Sequence, residues 1–580
     1  MDDRLKGVWA PPVLAIPSSI AARLDRAPLF YLGLLLLVLL GAAWLLRFIQ
    51  DDAFISFRYS YNLVEGWGLQ FNPPGFDPKP VEGYTNFLWT MIIAAPIALG
   101  YDVIMASQLL GLVCFFFALL GTYRLATALL GTRSEALIAV FVAGTNFTFI
   151  SYATGGLETM LVTALLVWCF RVAVSLKTPD DWTVPRLFIL SVLAGLAVLT
   201  RMDAGVFLLV IAGLLGLKWL VLDKSIGAKL GLAFVAAVPA VALIGGWLVW
   251  KIGYYGDIFP NTYYVKLSDQ ADPVQTYLRG IFFVGKFAIS YLVLPFLVIL
   301  IVRFFKIVKD LNWLALVGIL AIWSVYIIQT GGDFMEFRFM VAAIPLLSIM
   351  MVAGLRHLGN FRFLMLIAIV GASAFHGGTF QRTGGIEAIR ELHGHVMSPP
   401  ENWKKIGEAY NRYFADLEPT PVLALGAAGA MPYYSRLPVI DMLGLTDEWV
   451  AKNGEVYSSR PGHQRAGNHA YMIERGVNLY TGQINGVRRQ ADISRHCDIP
   501  PYDIYFQLLS PMEDKLPDQF SFIIMPIDED WVYQVLYMRP TPEIDAAIAK
   551  HGLQLCRVNV SHKKGLSEDS PSVPIPADAG

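Results

Sequence analysis

The chain has 580 residues, 55% hydrophobic and 16% charged, with a mean hydropathy of +0.52. That composition excludes an ordinary soluble globular protein and points to a membrane protein with a soluble portion attached. A net charge of −1 gives no electrostatic footprint for nucleic acid.

In chain order, Arg4, Lys6, Arg23 and Arg26 precede an apolar run. The run is too long for a signal peptide and lacks a clean cleavage site, so it reads as a retained anchor. About eleven spans follow from length and apolarity, near 29–49, 107–127, 135–152, 157–176, 187–200, 204–222, 229–250, 284–303, 312–329, 338–355 and 361–376. With a cytoplasmic N-terminus, alternate connections should be basic. They carry Arg124 and Arg133, then Arg171, Lys177 and Arg186, then Lys218, Lys224 and Lys229, then Arg303, Lys306 and Lys309, then Arg356 and Arg362. Residues 85–100 would invert this pattern if they spanned. They read instead as an interfacial or re-entrant helix, with Trp89 and Pro96 at the interface, inside a long outer loop 50–106.

From about residue 377 the chain turns polar, and eleven crossings place this part outside. ENWKKIGEAYNRYFADLE (401–418) reads as an amphipathic helix, and 421–426, 437–443, 520–526 and 553–560 as short buried strands. GAAGAMPYY (426–434) reads as a turn rather than a phosphate cradle. Residues 562–580 read as a disordered tail. The expected fold is a polytopic α-helical membrane domain of about 11 spans (1–376) followed by an extracytoplasmic α/β domain (377–580). Cys114 and Cys169 read as core filler. Cys497 and Cys556 can pair if their region is extracytoplasmic, but sequence does not give their separation.

The outer side collects the 50–106 loop, TGGLETM (154–160), TRMDAG (200–205), YYGDIFPNTYYVKL (254–267) and QTGGDFMEFRF (329–339). Charge at the membrane edge gathers there: Asp51, Asp52, Arg58, Glu82, Glu158, Arg201, Asp203, Asp257, Lys266, Asp333, Glu336 and Arg338. A pore would place charge along its spans, whereas a chemical site at one membrane face would place it this way. Partly buried acids can act as bases on a hydroxyl attacking an activated sugar. Arg, Lys or a divalent cation can stabilise the departing negative charge. On one helix Asp51 and Asp52 diverge by about 100°. One is then the base and the other an orienter or metal ligand; Asp52, deeper in the loop, is preferred as base. Direct displacement with a single base inverts the anomeric centre. Oxygen-only acids suit Mg, Mn or Ca, held by Asp51 and Asp52 if a cation binds, and the His/Cys clustering of a zinc site is missing. Most loop aromatics read as an interfacial belt; Tyr84, between Glu82 and Asn86, is the exception and could stack on a sugar. His376 reads equally as packing or function.

DDAFISFRY (51–59), FNP (71–73) and VEGYTNFLW (81–89) resemble the first outer loop of C-type (GT-C) membrane glycosyltransferases, most of all the bacterial arabinofuranosyltransferases that cap cell-wall arabinan. GGLETM (155–160), TRMDAG (200–205), YYGDIFPNTYYVK (254–266), QTGGDFMEFR (329–338), VIDMLGLTD (439–447) and PGHQ (461–464) are similar to the same group. The resemblance implies a polyprenyl-phosphate sugar donor, with arabinofuranose the natural guess, no nucleotide cofactor, and a glycan or protein acceptor of the cell envelope. It implies a multi-pass protein of the bacterial inner membrane with its site on the periplasmic side. It also implies that Asp51 or Asp52 is the base and that Arg201, Lys266 and Arg338 bind the lipid phosphate. The carbohydrate-binding sandwich of some relatives is not evident. Two other readings compete: a transporter or flippase of lipid-linked sugars, which needs polar groups at the midplane, and a binding module whose spans are scaffold.

Overall fold

The computed structural model describes residues 27–266, 273–303, 305, 308–456, 464–481, 487–491 and 519–559. The cationic N-terminal residues, Cys497, most of the PGHQ motif and the 562–580 tail lie outside these residues.

Helix α1 (Pro28–Leu45) opens on a proline, whose missing N–H is harmless at the first position. Extended Gln50 leads into α2 (Asp51–Val64), where both aspartates sit in the first turn, the end at which the helix dipole favours acids. Helix α3 (Phe87–Ala98) has 12 residues, about 18 Å, too short to cross a bilayer. Trp89, expected at the interface, packs inside the protein. It is buried, and its indole N–H donates to the Gly156 carbonyl at 3.0 Å.

Helix α4 (Val103–Leu130) is capped by Asp102, whose carboxylate accepts from Met105 N–H at 2.8 Å, and ends at Gly131 in a left-handed conformation. Helix α5 (Arg133–Gly144) breaks at Thr145–Asn146 before a short helix, Phe147–Ser151. Helices α6 (Thr159–Ser175), α7 (Val184–Thr200) and α8 (Ala204–Leu220) have 17 residues each. Helix α9 (Ile226–Tyr255) carries Pro239; beside it the Ala240 N–H donates to the Ser191 hydroxyl at 2.9 Å. Helices α10 (Pro273–Ser290) and α11 (Leu294–Val302) bend by 95°. Helix α12 (Leu311–Gln329) follows, then a 3-10 turn (Arg338–Ala343) running into α13 (Ile344–Leu355), and α14 (Arg362–Thr379).

Among the described residues a helix stands at each stretch expected to span. By length and composition, six are long and apolar enough to cross a membrane, or seven if the bent pair counts as one span. The difference from eleven has a physical cause: α6, α7 and α8 sit at the short limit for crossing, and α5 is interrupted. Many large apolar side chains on the outer helices are exposed, such as Leu37, Phe234, Val241 and Ile367, as a lipid-facing surface requires.

After α14 come α15 (Ile389–Met397) and α16 (Trp403–Phe414), then a sheet of seven described strands. These are β1 (Leu423–Leu425), β2 (Val439–Asp441), β3 (Leu479–Thr481), β4 (Val487–Arg489), β5 (Gln519–Pro526), β6 (Trp531–Tyr537) and β7 (Gln554–Asn559). Their order is β2-β1-β3-β6-β5-β7, with β4 also on β6. β1 pairs in parallel with β2 and β3, and the remaining pairs are antiparallel. A short helix α17 (Ala430–Ser435) connects β1 to β2. The expected strands are present, and Cys556 on β7 is disulfide-bonded. Cys114 and Cys169 are free thiols in apolar helices.

The 50–106 loop packs into the core of the α/β part. Ile55, Tyr59, Leu69, Phe71 and Tyr84 share one buried cluster with Ile406, Tyr410, Leu423 and Met431. That shared core fixes how α2 stands over the helices.

Candidate functional site at the first outer loop

The first turn of α2 carries two acids, Asp51 and Asp52. The Asp51 carboxylate accepts the backbone N–H groups of Gly429 (3.1 Å) and Ala430 (2.7 Å), at the start of α17. A Cβ at Gly429 would overlap Asp51, so this close approach requires glycine. Burial pushes the Asp51 carboxyl up to about 7, against the pull of those two N–H bonds. Asp52 is half-buried, and its charge acts on Arg338 and on the buried Tyr152.

On the Asp52 side a chain of polar groups runs between helices far apart in sequence. Ser56, one turn beyond Asp52, donates to Asn86 Oδ1 at 3.0 Å. Asn86 Nδ2 donates to Glu158 Oε2 at 2.8 Å. Glu158 Oε1 pairs with Arg201 at 2.9 Å, and Arg201 grips Asp203 with two bonds of 2.9 and 2.6 Å. Arg338 Nε pairs with Asp333 at 2.8 Å. The two guanidinium groups share one aromatic ring: Arg201 lies 5.3 Å and Arg338 5.4 Å from the centroid of Phe339. Phe337, just before Arg338, adopts a left-handed conformation with φ 48°, which costs a bulky residue about 1–2 kcal/mol. Five rings hold it there: Phe283, Phe287, Tyr291, His376 and Phe380. The neighbouring Glu336 is fixed by His376 (2.9 Å) and by the Ile389 N–H (2.8 Å). The turn that aims Arg338 is therefore set from the last helix and from the start of α15.

Arg58, Glu82 and Tyr84 stand elsewhere. Arg58 is buried, and its guanidinium donates to the carbonyls of Phe71 (2.7 Å), Leu437 (2.7 Å) and Pro432, which ties the loop to the α/β part. Asn72 of the FNP motif exchanges two bonds of 2.9 Å with the Val439 backbone. Glu82 pairs with the fully buried Lys251 of α9 at 2.7 Å; burial raises its carboxyl to about 7, against Lys251. Tyr84 is buried, with its hydroxyl 3.1 Å from Tyr255 and its ring on Tyr59, so it packs the loop and offers no free face. Lys266 closes a short helix, Asn261–Lys266, and its side chain lies outside the described residues.

Asp51 accepts two N–H bonds, and among the described residues no three His, Cys, Asp or Glu side chains converge as metal ligands.

Sequence reasoning missed Lys251, Phe339, Gly429 and Tyr152. Lys251 carried a usable signal, a lone charge near the end of a 30-residue apolar helix. The others carry no local signal, because their roles come from contacts with distant segments.

The overall architecture is that of a multi-pass membrane protein with the GT-C fold. It superposes on the crystal structure of ArnT from Cupriavidus metallidurans in the apo state with a TM-score of 0.54 at 13% identity, covering 88% of this chain and 98% of that one. Against ArnT bound to undecaprenyl phosphate the TM-score is 0.52 at 12% identity, with the same coverage. The resemblance read from the motifs extends to a curated protein, the terminal beta-(1->2)-arabinofuranosyltransferase of Mycobacterium tuberculosis (strain ATCC 25618 / H37Rv). The two are 30% identical over 247 residues, which is 39% of this chain and 36% of that protein. A family model described as a domain of unknown function (DUF8728) matches residues 390–503.

Proposed function

We propose that the protein transfers a sugar, arabinofuranose on the strength of its curated relative, from a polyprenyl-phosphate donor to a cell-envelope glycan or protein acceptor. The observation that carries this reading is the polar chain from Ser56, one turn beyond Asp52, through Asn86 and Glu158 to Arg201, with Arg201 and Arg338 sharing the Phe339 ring. A base and a pair of cations at the end of apolar helices match what a lipid phosphate and an attacking hydroxyl require.

In this mechanism Asp52 takes the proton from the acceptor hydroxyl. The hydroxyl oxygen bonds to the anomeric carbon from the face opposite the phosphate. The bond from that carbon to the phosphate oxygen breaks, and its electron pair leaves on the lipid phosphate, held by Arg201 and Arg338 with Lys266 as a third cation. One displacement inverts the anomeric centre. Asp51 fixes the first turn of α2 against the α/β part. The topology that accommodates this has eleven crossings of a bacterial inner membrane, with a cytoplasmic N-terminus and the site and α/β part outside. Basic loops on the opposite side support it.

The test is transfer from polyprenyl-phosphoryl-arabinofuranose by purified protein, read by product mass, with Asp52→Asn as control. Product from the wild type and none from the variant is expected. Lipid flux across vesicles without product would instead make the protein a carrier.

A further inference from the structure

Beside Asp52 stand two buried side chains to which the proposed mechanism gives no work. Gln50 is 0% exposed, and neither its amide nitrogen nor its amide oxygen has a hydrogen-bond partner. Tyr152 is 2% exposed, and its hydroxyl likewise has none. Native proteins rarely leave such groups unpaired, because burial strips their water and returns nothing.

The two belong to one place. Gln50 directly precedes the acidic pair. The 152–156 turn lies against residues 48–53: the Tyr152 ring meets Phe48 edge-on at 5.4 Å. Side chains at Gly155 and Gly156 would collide with Phe48, Ile49 and Ala53. The charges acting on Tyr152 are Arg338, Asp333, Glu336 and Asp52. Tyr152 therefore lies in the field of both Asp52 and Arg338, and Gln50 belongs to the 48–53 segment that the 152–156 turn covers.

We propose that Gln50 and Tyr152 form the subsite for the hydroxyl-bearing sugar of the lipid-linked donor. Both groups are neutral, and each can donate and accept. A phosphate offers acceptors only and already has its cations; a polyprenyl tail offers neither. A sugar presents hydroxyls that donate and accept together, and in the donor it is bonded directly to the phosphate. The inference rests on the donor reading above. It adds what that reading lacks, a pair of contacts to the sugar itself.

The test measures the affinity of detergent-solubilised full-length protein for two probes, polyprenyl-phosphoryl-arabinofuranose and polyprenyl phosphate. The variants are Tyr152→Phe and Gln50→Met, which keep volume and remove the polar group. Each should weaken the sugar-bearing lipid about tenfold, the scale of one buried hydrogen bond to a ligand, and leave polyprenyl phosphate within about twofold. Each should also raise the melting temperature of the ligand-free protein, since an unpaired buried group has been removed. A purely structural role predicts the opposite sign. Unchanged affinities, equal losses for both lipids, or a change confined to the acceptor KM would overturn the subsite and leave the donor reading standing. Should either variant fail to fold, the group it removes was structural, and the subsite falls. A wild-type protein that binds neither lipid would end both.

Discussion

On the face of the first outer loop turned to the α/β part, charge meets backbone. Asp51 accepts from Gly429 and Ala430, and Arg58 donates to three carbonyls. On the face turned to the helices, charge meets charge: Glu158 with Arg201, Arg201 with Asp203, Arg338 with Asp333. A guanidinium bonded to carbonyls cannot release them without leaving buried acceptors unpaired. A guanidinium paired with a carboxylate at a membrane face can turn one N–H to a phosphate at smaller cost. In the proposed mechanism the first face docks the loop and the second exchanges partners with the lipid phosphate.

The sharpest way to break this contrast is the adjacent pair of acids. Asp52→Asn should slow transfer by about 10³-fold, the scale of a lost general base. Asp51→Asn should slow it by about tenfold, the scale of one disturbed hydrogen bond. Single-turnover transfer measures both, and equal collapse would erase the distinction between the faces.

The arginines give the next largest effect. Arg338→Ala should weaken polyprenyl phosphate by about 30- to 100-fold, the scale of truncating one partner of a buried charge pair, whereas Arg58→Ala should leave that affinity unchanged. Equal losses would mean that both residues act through the fold.

The helices were legible because an apolar run of bilayer length carries its own signal. The gathering of Glu158, Arg201, Asp203 and Arg338 was legible for the same reason, since these residues stand at one set of helix ends. What stayed hidden came from contacts between distant segments. Nothing near Asp51 shows that it will meet Gly429, 378 positions away. The bond from Trp89 to Gly156 was equally invisible, because the 154–160 turn is distant in sequence. Tyr84 stood out for its polar neighbours, but the α/β part, which a local pattern cannot supply, turned it into core.

Stability separates the faces further. Arg58→Ala leaves several buried carbonyls without a donor and should destabilise the protein by about 3 kcal/mol, while the fraction that stays folded keeps its kcat. Thermal unfolding in detergent, paired with activity per folded molecule, checks both halves. A stable but inactive variant would move Arg58 from docking to chemistry.

The smallest effect is the pH dependence of Asp51. Its carboxyl titrates near 7 in the folded protein and near 4 when unfolded, so the native state holds the proton more tightly. Its contribution to stability is full below pH 4 and is lost as pH rises through 7. Asparagine does not titrate. The melting temperature of Asp51→Asn relative to the wild type should therefore rise between pH 5 and pH 8. His395, held by Glu387 and Glu401, titrates near 10; it is present in both proteins, and the difference cancels most of its effect. A gap that stays flat with pH would mean that Asp51 is ionised throughout. It would then stand as a second negative charge beside Asp52, and the division between a docking acid and a reacting acid would have to rest on the Gly429 and Ala430 bonds alone.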